Sequence, residues 1–306
     1  MTAAARSLVV LALFLASVLG HAAFAGAIND GAVERLIAAD RQPGPLAEKI
    51  TSIRSIFNQM QPAYRDVLGN PPGASLPDLE NTWRVAGFMA YVTDDRQYTR
   101  HMMAVHDEYA RRGLVPPMAL RDRLLQSLIA ARQFDEARSY AARARLEVEY
   151  VPPVEGVSSG AKGSYPILRV DAARSVLRRE NVEVGDELHV FVVSFIGCAY
   201  SRRAADAIEN HEALRRFMRE HSTWVTLPGR LHFNDVLAWN RDHPSTGFTY
   251  IDGMQSWGIV DDWATPTFYF VRQGRVVAKL SGWPDDAKGL SDLLSAIAGT
   301  GATPAP

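Results

Sequence analysis

Apolar positions set the first division of this chain. From Ile28 to about Glu149 they recur at intervals of three and four, as in Val33, Leu36 and Ile37 and again in Ile50, Ile53, Ile56, Phe57 and Met60. That spacing lines one face of a helix and predicts an all-α region over 26–150. The segment GNPPGASLPD (69–78) interrupts the pattern, and Ser75 or Asp78 is placed to cap the helix that follows. After it, GFMAYVTDDRQYTRHM and LLQSLIAARQFDEARSYAARA read as two helical hairpins. Phe88, Val92 and Tyr98 fall opposite Leu124, Leu128 and Phe134, an offset of 36 residues.

Periodicity then disappears. VPPVEGVSSGAKGSYP (151–166) concentrates Pro, Gly and Ser, the composition of a linker. Past it, β-branched and aromatic residues come in short runs: LHVFVVSF (188–195), STWVTL (222–227), PTFYFV (266–271) and GRVVAKLSG (274–282). Helix-like segments separate them, so a βαβ layer arrangement is expected over 167–299, with the last two runs forming a hairpin. A helix from about Asp285 to Ala298 and a short tail, 300–306, close the chain.

Composition narrows the function classes. The 306 residues carry 33 Lys and Arg against 34 Asp and Glu, a formal net charge of −1, with no basic block long enough to grip a polyanion. Nucleic acid is therefore not an expected partner. Residues 1–25 combine Arg6, an apolar run from Leu8 to Leu19 and a small-residue ending at Ala23-Phe24-Ala25, the pattern of a cleaved secretory signal peptide. The apolar run is short for a membrane span, which needs about 20 residues. A periplasmic location with no stable membrane span after cleavage is expected. The single cysteine, Cys198, excludes an internal disulfide, so any disulfide it forms joins another molecule.

Cys198 stands where the apolar strand LHVFVVSF gives way to an amphipathic helix. Unpaired N–H groups and the positive end of the helix dipole at that point favour thiolate over thiol, and Arg202 and Arg203 add positive charge nearby. A thiolate so placed is both nucleophile and leaving group, as thiol-disulfide exchange requires. The alternative is that a lone cysteine serves as a small buried hydrophobe. Further along, Thr265-Pro266-Thr267 immediately precedes an aromatic strand, a place where proline is confined to the first residue, an edge or a special turn.

In order and kind, the strand VFVVSF, the CAYS site, the TPT leading into a strand, the glycine-bearing hairpin and the final helix resemble the thioredoxin superfamily. The stretch NDVLAWNRDHPSTGFTYIDGMQSWGIVDDWATPT resembles the central insertion of its TlpA and ResA branch, a helix, a strand ending at Asp252 and a short helix. The resemblance spans about 185–298 and implies an α/β thioredoxin-like sandwich behind the all-α region. It also implies that Pro266 is cis against Cys198, with Thr265 offering backbone hydrogen bonds to a bound partner. Three features depart from the family pattern: Ser201 replaces the second cysteine, Gly197 replaces the tryptophan before the first, and Val192, Val193 and Ser194 include no carboxylate. Without a resolving thiol, a mixed disulfide at Cys198 has no intramolecular route to release. The helical hairpins resemble the tetratricopeptide pattern in the small residues Ala137, Ala141 and Ala144, with an ordinary helical bundle as the alternative.

The expected chemistry is monothiol exchange or isomerase-like turnover. Cys198 would be the nucleophile and Ser201 a hydrogen-bond donor to it, with Thr265, Pro266 and Trp263 against the partner. That partner would be a cysteine-containing exported protein or a low-molecular-weight thiol, with no metal and no cofactor. A redox-inactive binding module using the same groove is the second reading, and a homodimer joined through Cys198 is a third. His101 and His106 lie five apart, off the four-residue spacing of helical metal pairs. His211, His232 and His243 are candidate bases for a hydrolase-type cysteine. Trp224, Trp239, Trp257, Trp263 and Trp283 read mainly as core, with Trp257 and Trp263 candidates for a groove.

Overall fold

The structure, a computed structural model, describes residues 28–42, 44–146, 150–157, 163–227, 229 and 231–302. The leader expected at 1–25 lies outside the described residues, as does 158–162 of the linker. Among the described residues there are ten α-helices and one mixed eight-stranded sheet. None of these helices is long and apolar enough to cross a membrane.

The N-terminal region is helical because its apolar stripes and its caps agree. Helix α1 (Asp30–Arg41) starts where Asn29 Oδ1 accepts from the Ala32 N–H at 3.0 Å. Helix α2 (Leu46–Gly69) buries Ile53, Phe57, Met60 and Tyr64 along one side. Of the two candidate caps for α3 (Leu76–Thr93), Ser75 holds the position, its Oγ accepting from the Asp78 N–H at 3.2 Å. The helix ends at Asp94 in the left-handed region, and Asp95 caps α4 (Arg96–Arg111) at once, so α3 and α4 form a hairpin. Helices α5 (Met118–Ala130) and α6 (Phe134–Ala144) form the second, and α3 packs against both α4 and α5. Of the six residues matched by the sequence offset, Val92, Tyr98, Leu124, Leu128 and Phe134 are buried and Phe88 is partly so.

One acid fastens this region. Glu108 of α4 accepts from Arg111 Nε and Nη2 at 2.7 Å each and from Arg112 Nε at 2.6 Å. Hydrogen bonds from Arg111, then Arg112, hold its carboxyl at about 2, well below the usual carboxylate range. Arg112 in turn donates to the carbonyls of Pro71 and Ala74 at 2.9 and 2.7 Å, tying α4 to the turn before α3.

The sheet is ordered β1-β3-β2-β6-β5-β4-β7-β8. Its strands are β1 (Val154–Glu155), β2 (Ser164–Asp171), β3 (Val176–Glu183), β4 (His189–Val193), β5 (Ser222–Thr226), β6 (Phe248–Ile251), β7 (Thr267–Arg272) and β8 (Arg275–Ser281). The four runs read from sequence become β4, β5, β7 and β8, and the strand expected before Asp252 is β6. The β2–β3 hairpin was not among the expected strands, and its first residues, Ser164 to Pro166, fall in the segment read as linker. Strand β4 is parallel to β5 and antiparallel to β7, and its alternate residues enter different cores. Val190 and Val192 face one buried cluster with Phe268 and Phe270, while Phe191 and Val193 face the other with Tyr269 and Val271. A strand buried on both faces has no polar alternation, which explains its continuous apolar run.

The helical region is bound to the sheet through a buried charged cluster. Met254 N–H donates to Asp94 Oδ2 at 2.7 Å, and Gln255 Nε2 donates to the Thr93 carbonyl at 2.8 Å. Arg132, between α5 and α6, stands 3.6 Å from Asp94 and 3.8 Å from Asp252, and Arg179 of β3 pairs with Asp252 at 3.1 Å. Arg132 also donates to the Ile251 carbonyl at 3.3 Å. Burial pushes the Asp94 carboxyl up, against the opposing pull of Arg132 and the Met254 N–H.

Candidate functional site

Strand register brings the two distant motifs together. In the antiparallel β4·β7 pair Val193 lies opposite Thr267, so the segment entering β7 meets the segment leaving β4. After β4, Ser194 N–H donates to the Val225 carbonyl at 2.9 Å, and Cys198 N–H closes a turn onto the Phe195 carbonyl at 2.9 Å. Cys198 is then the N-cap residue of α7 (Ala199–Glu209), with extended backbone. Its thiol is partly exposed and donates to the Thr265 carbonyl oxygen, Sγ to O 3.4 Å. The Thr265–Pro266 peptide is cis, and the Pro266 carbonyl accepts from Gly282 N–H at 2.8 Å, fixing the segment to the end of β8.

Cys198, Ser201, Thr265 and Pro266 are thus one cluster. Burial alone raises the thiol pKa, but hydrogen bonds open to the ionised sulfur, from Thr265, from the backbone and hydroxyl of Ser201 and from the Tyr200 backbone, outweigh it, and the net shift is downward. Ser201 is fully buried, and its Oγ has no hydrogen-bond partner beside the protonated sulfur. An ionised sulfur supplies the missing acceptor, so the lone hydroxyl favours the thiolate.

The arginines behave differently from expectation. Arg203 turns away from the sulfur, donating to the carbonyls of Trp283 and Pro284 at 3.1 and 3.3 Å and lying over the Tyr200 ring at 5.0 Å. The lowered thiol pKa comes from oriented hydrogen bonds rather than from the neighbouring cations.

Trp263 is partly buried and sits at the seam between the sheet and the helical region. It lines a cavity of about 380 Å³ with Thr265, Phe195 and Tyr91, and a second of about 320 Å³ with Asp40, Asp261 and Asp262. Trp257, the other groove candidate, is instead core: it packs on Phe191 and Tyr165 with ring centroids 4.9 and 5.3 Å away and donates Nε1–H to the Pro166 carbonyl at 3.1 Å. Trp224 and Trp283 are equally buried, and Trp239 stacks on His243 at 4.0 Å.

The histidine candidates are engaged elsewhere. His243 Nε2 meets Asp206 at 2.9 Å, His211 Nδ1 caps α8 (Glu212–His221) by accepting from Leu214 N–H at 3.3 Å, and His232 lies against the Phe195 ring. His101 Nδ1 bonds the Tyr64 hydroxyl at 2.9 Å, and among the described residues no group of three His, Cys, Asp or Glu side chains could hold a metal ion.

Two residues at this seam escaped the sequence reading. Ser194, noticed there only because it is not a carboxylate, is 1 % exposed, and its Oγ lines the larger cavity without a partner. Arg123 lines the same cavity from α5, on a helix whose pattern gives no hint of it. A polar residue ending an otherwise apolar strand was the one available signal. No family model, no curated protein and no solved structure matches this chain.

Proposed function

We propose that this chain carries a thioredoxin-like domain of the TlpA and ResA type, acting in the periplasm as a monothiol exchange protein. The observation that carries the reading is the partly exposed Cys198 thiol at the N-cap of α7, lowered in pKa and held 3.4 Å from the carbonyl before Pro266. The Cys198 thiolate attacks one sulfur of a partner disulfide. That S–S bond breaks, the other sulfur leaves as a thiolate, and the mixed disulfide forms. A second thiol, from a low-molecular-weight compound or from the partner itself, then attacks the mixed disulfide and returns Cys198 to the thiolate. Ser201 stabilises the sulfur anion as it enters and leaves, and the Thr265–Pro266 segment positions the partner chain, with Trp263 flanking it.

The test is the pH dependence of Cys198 alkylation, run beside trapping of partners from an extract of exported proteins. The expected result is a thiol pKa below that of free cysteine, about 8.5, and mixed disulfides that reductant releases and Cys198→Ala abolishes. A pKa at the free value with nothing trapped overturns the reading. Ser201 favours the second reading, a redox-inactive binding module, because it removes the resolving thiol. In that case partner binding survives Cys198→Ser.

A further inference from the structure

The larger cavity at the seam is a candidate ligand site that the thiol chemistry does not use. It lies where the parallel strands β4 and β5 end, the place in open α/β sheets where ligands bind. Helices α3 and α5 roof it. Its volume, about 380 Å³, falls within the range of small-molecule pockets. The walls are mainly apolar and include Tyr91 from α3 together with Phe195, Leu227 and Trp263.

Two polar groups along it are donors left without partners. Ser194 is 1 % exposed, and its Oγ has no hydrogen-bond partner; the buried Trp263 Nε1 has none either. Such groups cost stability unless something else pairs with them. Arg123 lines the cavity with an exposed side chain and makes no ion pair or hydrogen bond with any described residue. Its stem crosses Gly87 of α3, where an added Cβ would lie 2.9 Å from Arg123 Cγ, so the glycine leaves room for the arginine at the cavity wall. The neighbouring cavity, which shares Tyr91, Leu227 and Trp263, is lined by Asp40, Asp261 and Asp262, with Lys49 on its wall and Lys279 paired to Asp261 at 2.7 Å, so acids outnumber cations there. An anion is therefore disfavoured on that side and drawn to the Arg123 side.

We infer that this cavity binds a small amphipathic carboxylate, its apolar body between Tyr91 and Phe195, Leu227 and Trp263, its carboxylate on Arg123, with Ser194 available as a further donor. An exposed cation beside a concave apolar wall with unpaired donors suits one negative charge on an apolar body. The inference is independent of the reaction at Cys198, although Thr265 and Trp263 border both sites.

Decanoate is the probe, with decanol and decylamine as neutral and cationic counterparts, titrated calorimetrically into the full chain. Saturable one-to-one binding of decanoate is expected, at least tenfold tighter than that of decanol or decylamine, as one charge-assisted contact would give. Arg123→Gln, at a surface position, should remove that preference and leave decanol binding unchanged. Cys198→Ser should bind decanoate as the unaltered protein does, which separates this site from the thiol reading. No saturable binding, equal binding of the three probes, or an Arg123→Gln protein that keeps its carboxylate preference overturns the inference.

Discussion

The Cys198 sulfur lies 3.4 Å from the carbonyl oxygen of Thr265, a residue 67 positions later in the chain. Neither residue is placed by its neighbours alone. Cys198 is fixed by the turn that ends β4 and begins α7, and Thr265 by the segment that enters β7. Because β4 and β7 are hydrogen-bonded neighbours, the segment leaving one lies beside the segment entering the other.

Ser201 should tune this sulfur. Ser201→Ala removes a buried donor that favours the thiolate, so the Cys198 pKa should rise and alkylation at neutral pH should slow by roughly threefold, as the loss of one modest hydrogen bond would give. Ser201→Cys supplies the missing resolving thiol. Mixed disulfides trapped by the unaltered protein should then disappear in favour of an internal disulfide, read by mass spectrometry before and after reduction.

Arg132 should be a stability hinge between the helical region and the sheet. It is 9 % exposed between Asp94 and Asp252, so Arg132→Ala leaves the largely buried Asp94 carboxylate without its cation and Asp252 with Arg179 alone. Breaking a buried pair in this way typically costs about 3 kcal/mol. Chemical denaturation should show that loss, and Arg132→Ala combined with Asp94→Asn should recover part of it, since the double change leaves less uncompensated charge.

Stability should fall in acid in two steps. Burial, followed by the nearby His221, lowers the His189 pKa to about 4, against about 6.5 in the unfolded chain. A depressed folded-state pKa gives stability that is complete above the unfolded value and is lost as pH falls through the folded one. The His189 contribution, on the order of 2 kcal/mol, should therefore disappear between about pH 6.5 and 4. Glu108, held at about 2 by Arg111 and Arg112, follows the same sign at lower pH, from about 4.3 downward. His189→Gln should flatten the first step and Glu108→Gln the second in melting temperatures measured across pH.

Close packing at the last helix, α10 (Asp286–Gly299), gives a sharper test of the core. A Cβ at Gly289 would fall 2.4 Å from Trp283 Cε2, inside a ring that is itself 1 % exposed. Gly289→Ala should destabilise by about 1–3 kcal/mol. Gly299→Ala, at the end of the same helix with nothing within 4 Å, should leave the melting temperature nearly unchanged.

Sequence alone determined the elements whose burial is local and strong. The apolar stripes of the helices and the runs behind β4, β5, β7 and β8 are legible because each residue's pattern reports its own face of a helix or sheet. The β2–β3 hairpin is not, because VLRRENVE buries only Val176 and Leu177 and is otherwise half-buried or exposed, and SYPILRVD begins inside a stretch of Pro, Gly and Ser. Cys198 and Thr265 could be singled out from sequence, but their meeting depends on the β4·β7 register. The Arg132 cluster and the Arg123 cavity depended wholly on tertiary structure. Asp94, Arg132, Asp252 and Arg179 are charged residues from separate turns and strands, and Arg123 follows no pattern on its helix. Charged and cavity-lining side chains gain their roles from what folding sets opposite them, and no local periodicity records that.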